Sequence, residues 1–288
     1  MIVSASYKTD IPAFFGPWFA ARMAAGWVQV KNPYGGKPRI VSLAPADVEA
    51  FVFWTRNAGP FSATLADLAA RGVPFVVQFT VTGYPRAIDA ATVAAAAAIE
   101  QIRALSSAHG RRAVVWRYDP VLATTLTPPA WHRRNFARLA AALAGAADEV
   151  VLSFAQIYAK TRRNLAHAAA EHGFAWDDPA PDEKQALLAE LAAIARDHGL
   201  RPTLCGQRDL LRPGLEDARC IDTVRLSDVA GRPVAAPAKP HRTCGCVASV
   251  DIGGYDTCPH GCVYCYAVAS RELAKRNFAA HHASDARL

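Results

Sequence analysis

The chain has 288 residues, of which 52% are hydrophobic and 20% charged, and this balance excludes a protein that is disordered throughout. Mean hydropathy is only +0.06, and no run approaches the roughly 18 apolar residues of a membrane span, so we expect no membrane partner. The first ten residues lack a basic stretch followed by an apolar one, so we expect a cytoplasmic protein. The net charge of +7 favours anionic ligands.

Short apolar runs alternate with helical patterns over the first 230 residues. The runs that predict strands are Ile2–Ser6, Trp27–Val30, Ile40–Leu43, Phe51–Thr55, Phe75–Thr80, Ala113–Tyr118, Glu149–Phe154 and Pro202–Cys205. The patterns that predict helices are Phe61–Arg71, Asp89–His109, Trp131–Leu143 and Asp182–His198. The alternation predicts an α/β fold. A strand count near eight without a glycine-rich dinucleotide motif favours a TIM-like (β/α) barrel, complete or partial, over a doubly wound sheet.

The composition changes near residue 232. The stretch Arg232–Pro240 contains three prolines and no regular period, which predicts a linker. A cysteine-rich segment follows, then a predicted helix, Ala267–Ala280, and a tail that we expect to fray. We therefore predict a barrel domain over residues 1–231. Over residues 232–288 we predict a linker, a cysteine-rich segment and a helix packed on the barrel mouth.

The seven cysteines all lie in the last third of the chain. An odd number of clustered thiols in an unexported protein favours metal binding or chemistry over disulfides. Cys258, Cys262 and Cys265 form C-x3-C-x2-C, and three thiolates at this spacing can bind three corners of a [4Fe–4S] cubane while one iron stays open. A zinc site completed by His260, Cys244 or Cys246 is the main alternative. Disulfides and inert buried cysteines are the others.

Four further cysteines remain, Cys205, Cys220, Cys244 and Cys246. Four is the number of thiolates that closes a second cubane without an open iron, so these residues are candidates for an auxiliary cluster. A single zinc ion and a mixture of core and incidental cysteines are the alternatives.

The C-x3-C-x2-C motif, with the aromatic Tyr264 before its last cysteine, resembles the radical S-adenosylmethionine superfamily. The resemblance implies a [4Fe–4S] cluster whose open iron binds S-adenosylmethionine, a 5′-deoxyadenosyl radical that abstracts hydrogen from a substrate, and a position for Tyr264 beside the adenine. It also implies an electron donor such as flavodoxin or ferredoxin. In that superfamily the motif usually follows the first barrel strand. Here it follows the last, which adjoins the first in a closed barrel.

A longer signature runs through the chain and resembles the bacterial domain-of-unknown-function family 1848. It includes the stretches Ser4-x-Ser6-x2-Thr9-Asp10, Asn32-Pro33, Gln78-Phe79-Thr80, Trp116-Arg117-Tyr118-Asp119-Pro120 and Cys244-Gly-Cys246-x4-Asp251. The chain departs from the family pattern at Tyr7-Lys8, where paired arginines are expected, and at Cys205-Gly206-Gln207. The resemblance implies an Fe–S protein of radical type and does not supply a reaction.

Polar side chains follow or end several predicted strands, where a barrel has its active mouth. The predicted cofactor-binding residues are Tyr264, Gln78, Thr80 and Ser153, and the predicted catalytic residues are Arg117, Asp119, Lys160 and Asp10. Arg117 is suited to clamp a carboxylate or phosphate, and Asp119 to hold ribose hydroxyls or take a proton. A structural ion pair beside Pro120 is the alternative for these two, and a solvated helix start is the alternative for Lys160.

These patterns together favour a radical S-adenosylmethionine enzyme with one or two [4Fe–4S] clusters and a small or anionic substrate. A non-enzymatic zinc or Fe–S module on a ligand-binding barrel is one alternative. A nucleic-acid repair or modification protein is the other, motivated by the basic charge and by Arg271, Lys275 and Arg276 on the last helix. A solvated helix face is the simpler interpretation of those three residues.

Overall fold

The computed structural model describes residues 1–31, 35–239 and 244–288. The Asn32-Pro33 motif and Pro240 of the predicted linker lie outside these described residues. Among the helices of the described ranges, none combines the length and apolar character that crossing a membrane requires.

The strands of the described residues form one large parallel sheet and one hairpin. They are β1 (Ile2–Ala5), β2 (Trp27–Val30), β3 (Arg39–Ser42), β4 (Ala50–Thr55), β5 (Phe75–Thr80), β6 (Val114–Val121), β7 (Glu149–Phe154), β8 (Arg201–Leu204), β9 (Glu216–Asp217) and β10 (Val250–Asp251). Eight of them pair in parallel in the order β10-β1-β4-β5-β6-β7-β8-β9. The predicted α/β class is therefore confirmed.

Helices connect most of the parallel strands, as a parallel sheet requires. Within the described residues they are α1 (Ile11–Phe14), α2 (Gly16–Ala25), α3 (Ser62–Ala70), α4 (Ala95–His109), α5 (Pro129–Leu143), α6 (Ala159–His172), α7 (Pro181–Asp197), α8 (Thr223–Ala230) and α9 (Arg271–Ala280). The last begins four residues later than predicted because the Ser270 side chain accepts a hydrogen bond from Leu273 N and caps it there.

The predicted strands at Trp27–Val30 and Ile40–Leu43 lie outside the large sheet. As β2 and β3 they pair antiparallel with each other, with Trp27 opposite Ser42 and Val30 opposite Arg39. Counting them among the parallel barrel strands is therefore wrong. The connection over residues 31–38 is too short for a parallel crossover, which needs about a dozen residues or more. The short strands β9 and β10 complete the large sheet instead.

The two faces of the large sheet differ in character because side chains alternate along each strand. On one face, Phe53 and Trp116 pack against the helices in the main apolar core. On the other face, Val76, Val115 and Val151 form part of a second apolar cluster. This second face becomes polar towards the carboxyl ends of the strands, since Gln78, Arg117 and Ser153 each follow one of these valines by two residues.

The edge strands β9 and β10 are not joined by a ladder in the described part of the chain. The segments beside them are nevertheless linked, because Val247 N donates a hydrogen bond to Ile221 O at 3.1 Å. Since β10 lies in the segment after residue 232, the cysteine-rich region contributes a strand to the large sheet itself.

The last eight residues are anchored, and the expectation that they fray is wrong. Asp285 O accepts a hydrogen bond from Trp18 Nε1, and Ala286 O accepts one from Gln29 N, both at 2.8 Å. The ring of His281 meets the ring of Phe15 edge-on, with 5.1 Å between centroids. Buried aromatic residues of the N-terminal region thus hold the C-terminal tail against the domain.

Candidate functional site

A cavity of about 810 Å³ opens at the carboxyl ends of the parallel strands. Its volume lies in the range of small-molecule sites. Its lining includes all of the cysteines, Cys205, Cys220, Cys244, Cys246, Cys258, Cys262 and Cys265. They belong to two groups, which we call the triad (Cys258, Cys262 and Cys265) and the tetrad (Cys205, Cys220, Cys244 and Cys246). The fold therefore brings both predicted metal sites to one cavity.

The triad lies on a single loop between β10 and α9. Gly261 has a φ of +74° and so permits the turn between the first two cysteines. Backbone bonds tie this loop to the segment after β5, because Val263 N donates to Ile88 O at 3.1 Å and Ala91 N donates to His260 O at 2.9 Å. The three thiols are thus held on a loop that is fixed at several points.

The triad thiols are buried, and burial determines their titration. It raises the pKa of Cys258 to about 12, and the nearby charges of Asp10 and Cys265 add to the rise. Burial also raises the pKa of Cys262, an effect that the Arg56 guanidinium opposes. Thiols in such a setting become thiolates when a bound cation compensates their charge, as a metal does.

The tetrad is assembled from three separate segments, after β8, after β9 and before β10. The Sγ atoms of Cys205 and Cys220 are 3.5 Å apart. Hydrogen bonding from Cys220 lowers the pKa of Cys246 to about 5 and also lowers the pKa of Cys205. Burial raises the pKa of Cys244. The thiolate form is therefore favoured at Cys246 and Cys205 relative to an isolated thiol, while the pKa of Cys220 is raised.

Arg117 contacts the tetrad directly. Its Nη1 donates to Cys220 Sγ and to Gln78 Oε1, both at 3.0 Å. Its Nη2 pairs with Asp119, whose other oxygen accepts a bond from Ser153 Oγ. Gln78 Nε2 in turn donates to Cys220 O at 3.0 Å. Four predicted site residues are thus brought together, and they form one network against Cys220.

Asp10 and His260 form a buried pair beside the triad. Asp10 Oδ2 accepts from His260 Nε2 at 2.8 Å and from Arg56 N at 2.8 Å, while its Oδ1 caps α1 through Ala13 N. Three hydrogen bonds therefore fix the carboxylate of Asp10, and we interpret it as a positioning residue for the triad loop. His260 Nε2 is engaged by Asp10, and its Nδ1 is buried with no hydrogen-bond partner in the described residues.

Asp89 was not among the predicted site residues, and Arg56 was expected only as one of the polar residues at the end of the predicted strand Phe51–Thr55. Arg56 Nη1 donates to Asp89 Oδ2 at 2.8 Å, and Tyr264 OH donates to Asp89 Oδ1 at 2.8 Å. Asp89 was predicted to begin a helix, but α4 begins at Ala95 and Asp89 instead forms a bridge with Cys262. Arg56 follows directly after β4, and it lies at the cavity as its strand-end position predicts.

The remaining predicted residues lie around the same cavity. Thr80 lines it, as the alternation with Gln78 predicts. Tyr264 also lines it but is only 9% exposed, and its ring packs against Tyr84 with 5.9 Å between centroids. Lys160 Nζ lies 5.5 Å from the ring centroid of Tyr255. Arg271 of the last helix packs over Gly261, where an added Cβ would lie 2.5 Å from its Cδ.

Asp251 is a further residue that the site prediction missed, and its role is structural. Its carboxylate accepts from Ser4 Oγ at 2.9 Å and from Ser6 Oγ at 2.8 Å, and it pairs with Lys8 Nζ at 3.3 Å. A side chain at Gly253 would collide with Ser6. These contacts fix β10 beside β1 and so set the start of the triad loop.

No group of three or more His, Cys, Asp or Glu side chains in the described residues converges on a single point as one metal ion requires. A mononuclear zinc site places every thiolate about 2.3 Å from the same ion. A cubane instead offers each thiolate its own iron, so its ligands lie farther apart. The donor chemistry of the triad, three thiols on one loop with His260 Nε2 bound elsewhere, fits a cluster with one open corner.

The fold and the cavity define a parallel α/β protein with a cysteine-lined site at the carboxyl ends of its strands. The chain belongs to the family DUF1848, described as a domain of unknown function, whose model matches residues 2–267. The predicted family is therefore confirmed, over a range that contains the whole sheet and both cysteine groups. A search of the curated proteins finds no match to this chain.

Proposed function

We propose that this protein is a radical S-adenosylmethionine enzyme, with a [4Fe–4S] cluster on Cys258, Cys262 and Cys265. The observation that carries the proposal is that these three thiols, spaced C-x3-C-x2-C, line the same cavity as the polar side chains at the strand ends. The substrate would be a small or anionic molecule bound in that cavity. The family description supplies no reaction, so the proposal rests on the residues.

We propose separate roles for the residues around the triad. When bound together, the cluster and S-adenosylmethionine supply a one-electron cleavage that yields a 5′-deoxyadenosyl radical for hydrogen abstraction. Arg56 supplies positive charge near Cys262. Asp10 holds His260 and the start of α1 in place beside the triad. Thr80 and Tyr264, which both line the cavity, are the side chains that we propose for contact with the cofactor.

The tetrad would hold a second metal centre, for which we propose an auxiliary [4Fe–4S] cluster. Arg117, Asp119, Gln78 and Ser153 would then position and charge-balance this centre rather than bind S-adenosylmethionine. Zinc is the second candidate because Cys205 Sγ and Cys220 Sγ are 3.5 Å apart, as two thiolates about 2.3 Å from one tetrahedral ion would be, although the described side chains do not converge as a four-ligand site requires. Metal analysis distinguishes the two, since the tetrad would hold either four irons or one zinc ion.

The wider features of the proposal follow from the same fold. We propose that the eight parallel strands curve into a TIM-like barrel, complete or partial, with residues 232–288 packed on its mouth. The reductant would be a cytoplasmic electron donor such as flavodoxin or ferredoxin. A site of this kind requires a reducing compartment, because its seven thiols would otherwise oxidise.

Formation of 5′-deoxyadenosine tests the proposal. The full-length protein is reconstituted anaerobically with iron and sulfide, reduced with dithionite and incubated with S-adenosylmethionine. We expect 5′-deoxyadenosine in the wild type and none above background in Cys258→Ala. Cys205→Ala is the matched control, because it removes a thiol from the tetrad and leaves the triad intact. An intact wild-type cluster that produces no 5′-deoxyadenosine would contradict the proposal.

A further inference from the structure

The rim of the cavity carries an unusual set of exposed aromatic rings. Tyr158, Tyr255 and Tyr266 line the cavity and are 52%, 48% and 44% exposed. They are three of only seven large hydrophobic or aromatic side chains that are exposed in the described residues. Tyr158 and Tyr266 are neighbours, with ring centroids 6.5 Å apart. Exposed apolar surface that gathers at a cavity mouth marks a binding site more often than scattered exposure does.

Two lysines accompany these rings. Lys8 Nζ and Lys160 Nζ lie 5.4 and 5.5 Å from the ring centroid of Tyr255, within the range of a cation–π contact. Lys8 also pairs with Asp251. No acidic side chain of the described residues lies within ion-pair distance of Lys160, so its charge is available to a ligand. We call Tyr158, Tyr255, Tyr266, Lys8 and Lys160 the rim.

The carboxylates in the cavity lining are already engaged by other protein groups. These carboxylates are Asp10 and Asp119. Asp10 accepts a hydrogen bond from His260, and Asp119 pairs with Arg117. An anionic group beside Tyr255 would meet the positive charge of Lys8 and Lys160.

We propose that the rim binds a nucleotide unit, with the base stacked on the exposed tyrosines and the phosphate beside Lys160. Flat rings accept any base by stacking, and a lysine recognises phosphate as a point charge. The source of the unit is a free mononucleotide or a single nucleic-acid strand, which share this chemistry. The inference rests on the proposed function for the reaction that would follow in the cavity, but the binding site is defined by the rim alone.

Binding of uridine 5′-monophosphate tests the inference, with uridine and ribose 5-phosphate as probes that each lack one recognised part. A pyrimidine probe, used with saturating S-adenosylmethionine on the reconstituted full-length protein, avoids competition at an adenine site. We expect the nucleotide to bind about tenfold more tightly than either partial probe by calorimetry, because ribose 5-phosphate lacks the stacking base and uridine lacks the phosphate that meets Lys160. Equal affinity for all three probes, or no binding of any, would overturn the inference.

Variants separate the two parts of the site. Tyr255→Leu should weaken nucleotide binding about tenfold, while Tyr255→Phe, which keeps the ring, should change it less than about twofold. Lys160→Gln should weaken binding of the nucleotide and leave that of uridine unchanged. Lys275→Gln is the matched charge control, because Lys275 is exposed on α9 outside the cavity lining. Wild-type affinity in Tyr255→Leu, or an equal loss in Lys275→Gln, would contradict the assignment.

An oligothymidylate of ten nucleotides identifies the source. If it binds at least about tenfold more tightly than the mononucleotide, and its affinity falls steeply with salt, the rim serves a single strand. If it binds no better, the rim serves a free nucleotide. Either result supports recognition of a base and a phosphate by the rim. Failure of the proposed function is distinguishable, because it would abolish 5′-deoxyadenosine formation and leave nucleotide affinity unchanged.

Discussion

The triad and the tetrad reach the same cavity by different routes. The triad lies on one loop of eight residues, from 258 to 265, so its spacing is visible in the sequence. The tetrad comes from three segments, and the largest gap between its neighbouring cysteines runs from Cys220 to Cys244. Only the parallel sheet, which ends its strands at one edge, brings those segments together. A local motif can thus be identified from spacing, whereas a dispersed site needs the fold.

The charges around the two groups differ as well. At the triad, burial dominates and raises the pKa of Cys258 and Cys262. At the tetrad, the sulfurs interact with one another, and Arg117 donates a hydrogen bond to Cys220 Sγ. We therefore expect the triad, where Arg56 only partly offsets burial, to depend more on its bound metal for charge balance than the tetrad does.

Loss of a triad cysteine should have the largest effect. Cys262→Ala should remove about four irons per chain and reduce 5′-deoxyadenosine to background, because an open-site cubane with two protein ligands is not retained. Iron analysis and product quantification on the reconstituted protein measure both effects. If Cys262→Ala kept its iron and still formed 5′-deoxyadenosine, the assignment of the open-site cluster to the triad would be contradicted.

Loss of a tetrad cysteine should separate the two centres. Cys220→Ala should lose about four irons, or one zinc, and still form 5′-deoxyadenosine, since the triad and its contacts with Arg56 and Asp10 are untouched. Iron and zinc are counted by mass spectrometry, with Cys262→Ala run in parallel. Simultaneous loss of all iron in Cys220→Ala would show that the two groups do not act independently.

Arginine variants should act on one centre each. Arg117→Gln removes a charged donor from Cys220 and should lower the reduction potential of the tetrad centre by about 60 mV, the one-electron equivalent of about 1.4 kcal/mol. Arg56→Gln should lower the potential of the triad centre only. Potentiometric titration followed by electron paramagnetic resonance distinguishes the two signals. Identical shifts of both centres in either variant would contradict the assignment of each arginine to one group.

A buried histidine outside the triad and the tetrad, His132, should make the free energy of unfolding fall in acid. Burial lowers the pKa of His132 to about 4, and its Nδ1 lies 2.8 Å from Tyr118 OH. An unfolded histidine titrates near 6.5, so the unfolded state binds the proton first. The free energy of unfolding should fall from about pH 6.5 down to about pH 4, by about 3 kcal/mol in total.

Urea denaturation of the metal-free protein across that pH range measures this loss. His132→Gln should flatten the dependence at the cost of a lower stability at neutral pH. His167→Gln is the control, because His167 is exposed and its removal should leave the slope unchanged. A pH dependence that persists in full in His132→Gln would assign the acid sensitivity to other groups.

Much of the fold could be predicted because strand signals are local. The predicted strands at Phe75–Thr80 and Glu149–Phe154 match β5 and β7 in both bounds. The two-residue strands β9 and β10 could not be predicted, since their pairing comes from neighbours rather than from their own composition. The hairpin of β2 and β3 was misassigned because apolar content does not distinguish parallel from antiparallel pairing.

The candidate site likewise has residues that the sequence predicts and contacts that depend on the fold. Gln78, Arg117, Asp119 and Ser153 were identified from their positions at strand ends, and hydrogen bonds do join them. Their contact with Cys220 could not be predicted, because it depends on a loop more than a hundred residues after Arg117. Asp89 was assigned to the start of a predicted helix, and its bridge with Cys262 and its bonds with Arg56 and Tyr264 show its place beside the triad.

The metal content of the anaerobically reconstituted wild type tests the central claim most directly, which is that two cysteine groups in one cavity hold Fe–S clusters. We predict a brown protein with about eight irons and eight sulfides per chain and a broad absorbance near 400 nm. About four irons with one zinc would retain the triad cluster and assign zinc to the tetrad. A colourless protein that binds zinc and no iron would contradict the account.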